Sequence, residues 1–325
     1  MREELLLELE NEYGQLRAEN EREEVRRLEK IRTEQPEIYR LVQERRELVF
    51  GTMRNILDRN ADTEGLPLKM EQLSAAIRTK LTENGFDADY LAPVYRCPIC
   101  RDTGKAGDPV REPCVCFKKA YQRKLREKIG LGSEKTETFA LFNLDIFPDE
   151  KIPGQNFTQR ELMAHQKSIC ERWANEYPNA PFRDLVLTGN TGLGKTFLLR
   201  AMAEKLIERD IHVLLVNAYQ MLEMLRKSYF DNSSDAAELM DAEVLMIDDL
   251  GSEPMMQNIT VEQLFHLINE RQNKNKSTVI SSNLDMAKFR ERYSERIASR
   301  LRDSRYCKVI SLLGKDIRTG GNLKA

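Results

Sequence analysis

No stretch of this sequence approaches the ~20 consecutive apolar residues of a membrane span, and the chain is charged at once, beginning Met1-Arg2-Glu3-Glu4. It therefore reads as a cytoplasmic protein with no membrane segment. It also lacks a surplus of either charge: 51 Lys and Arg stand against 53 Asp and Glu, a formal net charge of −2. Nothing in that balance demands nucleic acid, so any basic surface must be local. The cysteine pattern of a secreted disulfide scaffold is missing as well. There are six cysteines, and four fall between positions 97 and 116; such clustering in a reducing compartment suggests a metal.

What is present starts with length. The 325 residues suggest two or three domains, one of them large enough for a sizeable core. The stretch Gly189–Thr196, Gly-Asn-Thr-Gly-Leu-Gly-Lys-Thr, fits the phosphate-binding pattern G-x-x-x-x-G-K-[ST] without a mismatch. The apolar run Leu185-Val186-Leu187 leads in as a strand, and Phe197 to Glu204 leads out as a helix, which is the setting the pattern requires. Glycines let such a loop turn tightly and point backbone N–H groups at a polyphosphate, helped by the positive end of the helix. Gly189, Asn190, Thr191, Gly192, Leu193, Gly194, Lys195, Thr196 and Phe197 are the expected nucleotide-binding residues. Lys195 reaches the β- and γ-phosphates and the Thr196 hydroxyl completes the shell of a Mg²⁺ ion.

A second motif agrees with the first. Val244-Leu245-Met246-Ile247 ends in Asp248-Asp249, an arrangement that sets Asp248 to hold Mg²⁺ through water and Asp249 to orient or deprotonate the attacking water. Ser281-Ser282-Asn283 follows the next strand; Asn283 is the first choice for a contact near the γ-phosphate, Ser282 the second. Arg296 and Arg300 lie at i and i+4 in Glu295–Leu301, so they share one helical face. Facing a neighbouring subunit, one guanidinium could reach that subunit's γ-phosphate and make hydrolysis depend on assembly. Strand-like runs recur at 185–187, 213–216, 244–247, 279–280 and 309–312 with helical patterns between them, and Gln159–Glu176 precedes the first. The fold class expected over residues 138–325 is α/β with a parallel sheet covered on both faces.

Residues 1–93 read as a helical segment, either a solvated hairpin or a partner-binding element. Their apolar positions keep helical spacing but are interrupted at Arg17–Glu24 and at Pro36, which predicts two or three helices with narrow stripes. Gly65-Leu66-Pro67 reads as a loop and Gly85 as a helix stop. Residues 94–130 form a four-cysteine module. Cys97, Cys100, Cys114 and Cys116 offer C-x-x-C and C-x-C pairs able to close a tetrahedral zinc site; an iron–sulfur cluster and a redox pair are the rival readings. With no fifth ligand nearby the zinc is structural, and such ions supply ~10–16 kcal/mol of apparent binding energy in small modules. Cys170 and Cys307 read as buried small hydrophobes. Tyr219, Arg226, Lys227, Tyr229 and Phe230 mix aromatic with basic groups, as a single-stranded DNA surface would.

On these motifs, residues from about 138 onward resemble the AAA+ ATPases of the initiator branch, specifically the DnaC/DnaI-type bacterial helicase loaders and the related IstB transposition ATPases. The resemblance implies an AAA+ domain without a carboxy-terminal helical lid, since the chain stops soon after Arg318. It also implies that Arg318, in Asp316-Ile317-Arg318, lies over the nucleotide as a sensor-2 arginine, that Arg300 is the better finger candidate with Arg296 beside it, and that residues 94–120 match the loaders' zinc-binding part. The implied function is ATP-dependent loading of the replicative hexameric helicase onto single-stranded DNA, with self-association through the ATPase domain and ATP, Mg²⁺ and Zn²⁺ as ligands. An IstB-like transposition ATPase and a nucleotide-switched adaptor with little hydrolysis are the alternatives.

Overall fold

The computed structural model describes residues 2–57, 66–132, 137–231, 235–256 and 260–318. Contacts group the chain into two compact units, Leu6–Phe117 and Met1–Leu5 with Lys118–Ala325. Most of the helical segment and the four cysteines, separate in the sequence reading, fall in one unit, while residues 118–130 fall in the other.

The first unit is built on α1 (Arg2–Glu34), α2 (Pro36–Leu57) and α3 (Leu66–Glu83). The charged stretch at 17–24 does not interrupt α1, because its charges pair along the helix: Glu23 binds Arg26 at 2.6 Å and Arg27 at 2.8 Å, the i,i+3 and i,i+4 spacings that support a helix. Pro36 does end it. Lacking an N–H, proline suits the first turn of α2, where that donor has no partner in any case. The same property places Pro67 inside the first turn of α3 rather than in a loop, while Gly65 lies outside the described residues. Gly85, at φ +79°, stops α3 as expected. Ile31, Ile38, Val42, Ile77 and Leu81 form the core where the three helices meet.

Beyond α3 the strands β1 (Lys105–Ala106) and β2 (Glu112–Pro113) make a small antiparallel hairpin. Asp102 fastens it. Only 1% exposed, its carboxylate accepts the backbone N–H of Arg96 at 2.7 Å and of Cys97 at 2.8 Å, and the Asn20 side-chain amide at 2.9 Å. Arg17 donates to the Asp102 carbonyl at 3.2 Å, and Tyr13 meets Phe117 edge-on at 5.3 Å between ring centroids. One face of α1 therefore braces the cysteine-bearing turn.

Helix α4 (Val115–Lys128), which lies in the second unit from Lys118 onward, is followed by a short 3-10 turn, Phe139–Leu141, and α5 (Gln159–Glu176). Helix α5 opens with a complete capping box: Thr158 accepts from Glu161 N, and the Glu161 side chain accepts from Thr158 N, which satisfies two donors that the first turn leaves free. Five strands follow, β3 (Asp184–Thr188), β4 (Val213–Asn217), β5 (Val244–Leu250), β6 (Ser277–Ser282) and β7 (Cys307–Ser311). They form one parallel sheet in the order β4-β5-β6-β3-β7. Parallel strands buried on both faces need continuous apolar runs, and β3 is buried at all five positions. The helices between them are α6 (Lys195–Glu208), α7 (Ala218–Asp231), α8 (Asp235–Asp241), α9 (Thr260–Asn273), α10 (Met286–Tyr293) and α11 (Glu295–Leu301). Cys170 and Cys307 are buried in this core, as their isolation suggests. Among the described residues no helix is long and apolar enough to cross a membrane.

Asp102 sits at φ +58°, a conformation Asn and Asp tolerate better than Ala. Asp102→Ala leaves the backbone N–H groups of Arg96 and Cys97 without their acceptor, at about 0.5–1.5 kcal/mol each, and adds backbone strain. Thermal unfolding should show the Leu6–Phe117 unit melting at clearly lower temperature in Asp102→Ala, with Asp102→Asn between it and the wild type.

Candidate functional site

The sheet order brings the carboxyl ends of β3, β5 and β6 together, and the sequence motifs leave the sheet at those ends. The loop from Gly189 to Gly194 joins β3 to α6, whose N-cap, Gly194, supplies no side-chain hydrogen bond. The first turn of α6 is thus left open to an anion. A cavity of about 440 Å³ lies there, walled by Glu137, the loop residues Thr191 to Phe197, Asp248, Asp249, Ser281, Asn283, Ile317 and Arg318.

Two glycines of the loop are dictated by close approach. At Gly189, φ +147°, a Cβ would sit 2.3 Å from the Leu312 carbonyl oxygen; at Gly192, φ +74°, it would sit 1.7 Å from an Asp316 carboxylate oxygen. Gly192 also accepts a hydrogen bond from Ile317 N at 3.1 Å, and Asp316 accepts from Arg318 N at 2.8 Å. The segment 316–318 is therefore laid directly on the loop, which brings Arg318 to the cavity wall.

Lys195 is 6% exposed. Its ammonium donates to the carbonyls of Gly189 and Asn190 at 2.8 Å each and to Asn283 Oδ1 at 2.7 Å. Burial lowers its pKa, opposed by the nearby charges of Asp249 and Asp248. Thr196 donates to Asp248 Oδ1 at 3.2 Å, and Ser281 donates to the same oxygen at 2.5 Å. The Ser281 hydroxyl in turn accepts from Asp249 N at 3.0 Å. Asn283 Nδ2 donates to the Asp249 carboxylate, whose residue stands at φ +56°. Asn283 thus bridges the loop lysine and the second carboxylate.

Of the residues expected from sequence, Lys195, Thr196, Asp248, Asp249, Asn283 and Arg318 meet at this cavity with the loop. Ser282 does not; its hydroxyl is turned to the Leu250 carbonyl at 2.5 Å. Arg296 and Arg300 lie instead on the ring of Phe265 in α9, at 4.2 and 5.0 Å from its centroid, outside the wall of their own chain's cavity. Ser281 and Asp316 stand in the sequence motifs only as neighbours of Asn283 and Arg318, and the structure gives each a contact of its own at the site. The alternation along β6 is the signal that could have found Ser281, since it sets residues 281 and 283 on one side and 282 on the other.

The proposed DNA surface is divided. Tyr219 is 58% exposed and Lys227 is exposed, but Arg226 is paired with Glu223 at 3.1 Å; the side chains of Tyr229 and Phe230 lie outside the described residues.

The four cysteines form a second candidate site, in the first unit. Their sulfur atoms all lie within 4.8 Å of one another, with Cys97 and Cys114 at 3.9 Å and Cys100 and Cys116 at 3.4 Å. Thiolates on one tetrahedral zinc, at Zn–S about 2.3 Å, stand roughly 3.8 Å apart, so the set fits a single ion. An iron–sulfur cluster shares its thiolates among several irons and spreads them wider. Backbone N–H groups of Cys100 and Ile99 lower the Cys97 pKa to about 7, whereas burial pushes Cys116 up to about 12.

Fold and cavity together define a P-loop nucleotide-binding protein of the α/β class. Residues 156–325, just over half of the chain, match the family of IstB-like ATP binding proteins, and the chain belongs to that family. It is 26% identical over 266 residues to the chromosomal replication initiator protein DnaA of Ruegeria sp. (strain TM1040), a match spanning 72% of this chain and 55% of that protein. It is 31% identical over 118 residues to the replicative helicase loader DnaI of Bacillus subtilis (strain 168), covering 35% of this chain and 38% of the relative. A crystal structure of DnaI aligns with 61% of this chain and 99% of its own, at 24% identity and a TM-score of 0.43. The chain thus spans about half or less of the length of these two curated relatives.

Two outcomes follow. Gly192→Ala drives a methyl group into the Asp316 carboxylate and should weaken binding of a fluorescent ATP analogue by about tenfold or more (a tenfold change is 1.4 kcal/mol), with the circular-dichroism spectrum unchanged. Metal analysis of purified protein should find one equivalent of zinc per chain, lost in Cys100→Ser; several equivalents of iron with acid-labile sulfide in its place would refute the single-ion assignment.

Proposed function

We propose that this chain is an ATP-dependent loader of the replicative DNA helicase, delivering that ring to single-stranded DNA and hydrolysing ATP weakly until it self-associates. The observation that carries the reading is the division of the arginines. Arg318 lines the nucleotide cavity of its own chain, whereas Arg296 and Arg300 are held together on Phe265, away from that cavity. A site whose finger arginines stand elsewhere is suited to completion by a neighbouring copy.

Within the site, the loop N–H groups and Lys195 bind the triphosphate, Thr196 and Asp248 hold Mg²⁺, and Arg318 lies against the nucleotide. Bound Mg²⁺ would supply charge neutralisation between the phosphates. Asp249 orients and accepts the proton of the attacking water, and Asn283 contacts the γ-phosphate side. Lys195 now spends its charge on two loop carbonyls and Asn283; a triphosphate takes their place, which frees Asn283 and the carboxylate it holds. The braced cysteine unit is the helicase-binding part, and similarity to the B. subtilis loader supports that partner. The family also supports a transposition ATPase, which would bind duplex DNA and a transposase; the cysteine unit favours the loader.

The full-length chain should retain a replicative hexameric helicase from a purified mixture in a nucleotide-dependent manner and ignore a transposase. Retention of the transposase with the helicase ignored reverses the assignment. Lys195→Ala should abolish the nucleotide dependence, and Asp249→Asn should bind ATP but turn over at background.

A further inference from the structure

Three residues beyond Leu250, the last residue of β5, stands a carboxylate that the nucleotide site does not use. Glu253 is 1% exposed. Its Oε2 accepts the backbone N–H of Gly251 at 2.8 Å, and its Oε1 accepts the hydroxyl of Tyr293. Arg292 closes the group: its guanidinium lies 3.6 Å from Glu253 Oε1 and donates to the Glu253 carbonyl. Tyr293 is fully buried, with its ring 4.6 Å from Phe289. Its phenol pKa is pushed up, first by burial and then by the hydrogen bond to Glu253, so the proton that makes the bond stays in place.

The two ends of this tie matter. Gly251 follows Asp248, Asp249 and Leu250 directly, and Gly251 at φ +115° packs where a Cβ would lie 2.9 Å from Leu284. Arg292 and Tyr293 are the last two residues of α10, and a single residue, Ser294 at φ +97°, separates them from α11 with Arg296 and Arg300. A buried carboxylate held by three partners has one place to stand. Glu253 therefore ties the segment that follows Asp248 and Asp249 to the end of α10, one residue short of the helix that carries Arg296 and Arg300.

We infer that Glu253 is a positioning residue: through Gly251 on one side and Tyr293 and Arg292 on the other, it sets the arginine helix α11 at the angle needed to complete a neighbouring copy's site. The inference rests on the proposed role of Arg296 and Arg300 in trans. Its chemistry is a change of geometry alone, with no bond made or broken.

Glu253→Gln preserves size but removes the charge facing Arg292 and one acceptor for Tyr293. Tyr293→Phe preserves the packing and removes only the hydroxyl, as a second variant should the first unfold. Both should bind a fluorescent ATP analogue as the wild type does when dilute. In the self-associated state their turnover should fall on the order of 10²-fold, the scale of an ångström-sized misplacement of a reacting group. Adding Asp249→Asn protomers, which lack turnover of their own but carry an intact arginine helix, should restore hydrolysis by the Glu253→Gln protomers. Undiminished turnover in both variants overturns the inference, as does lost nucleotide affinity with no rescue, which would mean the damage lies in the variant's own site. If wild-type turnover per protomer does not rise with protein concentration, the trans role of the arginines fails first. That outcome is visible before any variant is made, and it removes this inference with it.

Discussion

A buried ammonium ion with no carboxylate bonded to it is the constraint around which the nucleotide end of the molecule is built. Lys195 is held by two carbonyl oxygens of its own loop and by the amide oxygen of Asn283, all neutral dipoles. Desolvating a cation is costly unless an anion compensates, and here the nearest acids, Asp248 and Asp249, act through space rather than by contact. Such a site is electrostatically unfinished, and a polyphosphate finishes it. The sharp loop, the two forced glycines and the placement of Asn283 all serve to keep that charge in one spot.

The same economy governs the carboxylates. Asp248 is tied to Thr196 and Ser281, and Asp249 to Asn283 and the Ser281 hydroxyl through its backbone. Each acid is oriented by groups from two other elements, so its direction is set by the register of β5 against β6 and by the loop. Register in a parallel sheet is fixed by apolar side chains on both faces. The functional groups are precise because the core beneath them, from Leu185 to Leu187 and from Val244 to Ile247, is fully buried.

How much could be read beforehand depended on range. The phosphate loop was legible because backbone geometry demands its glycines and chemistry its lysine, and the five strands because burial on both faces leaves apolar runs. The break at Pro36 followed from a missing N–H. What could not be read were contacts between distant segments: Asp102 accepting from Arg96, Cys97 and Asn20 at once, Asp316 filling the space over Gly192, and Glu253 joining β5 to α10. Each is a single polar residue in an unremarkable local sequence, and its meaning lies in a partner as much as 124 positions away. Helix α1 runs on through residues 17–24 for a related reason. An apolar-stripe argument sees only a gap there, whereas Asn20 and Arg17 spend that turn on the cysteine-bearing segment.

Strand β3, which launches the phosphate loop, is an inner strand paired with β6 on one side and β7 on the other. Both partners are synthesised long after it, β7 more than a hundred residues later, and Leu312, just past β7, is what closes over Gly189. During translation the loop therefore emerges without its roof, and non-local pairing of this kind is slow to form. A ribosome that stalls before residue 307 leaves a nascent chain with every loop residue made but without the strand and the carbonyl that complete the cradle.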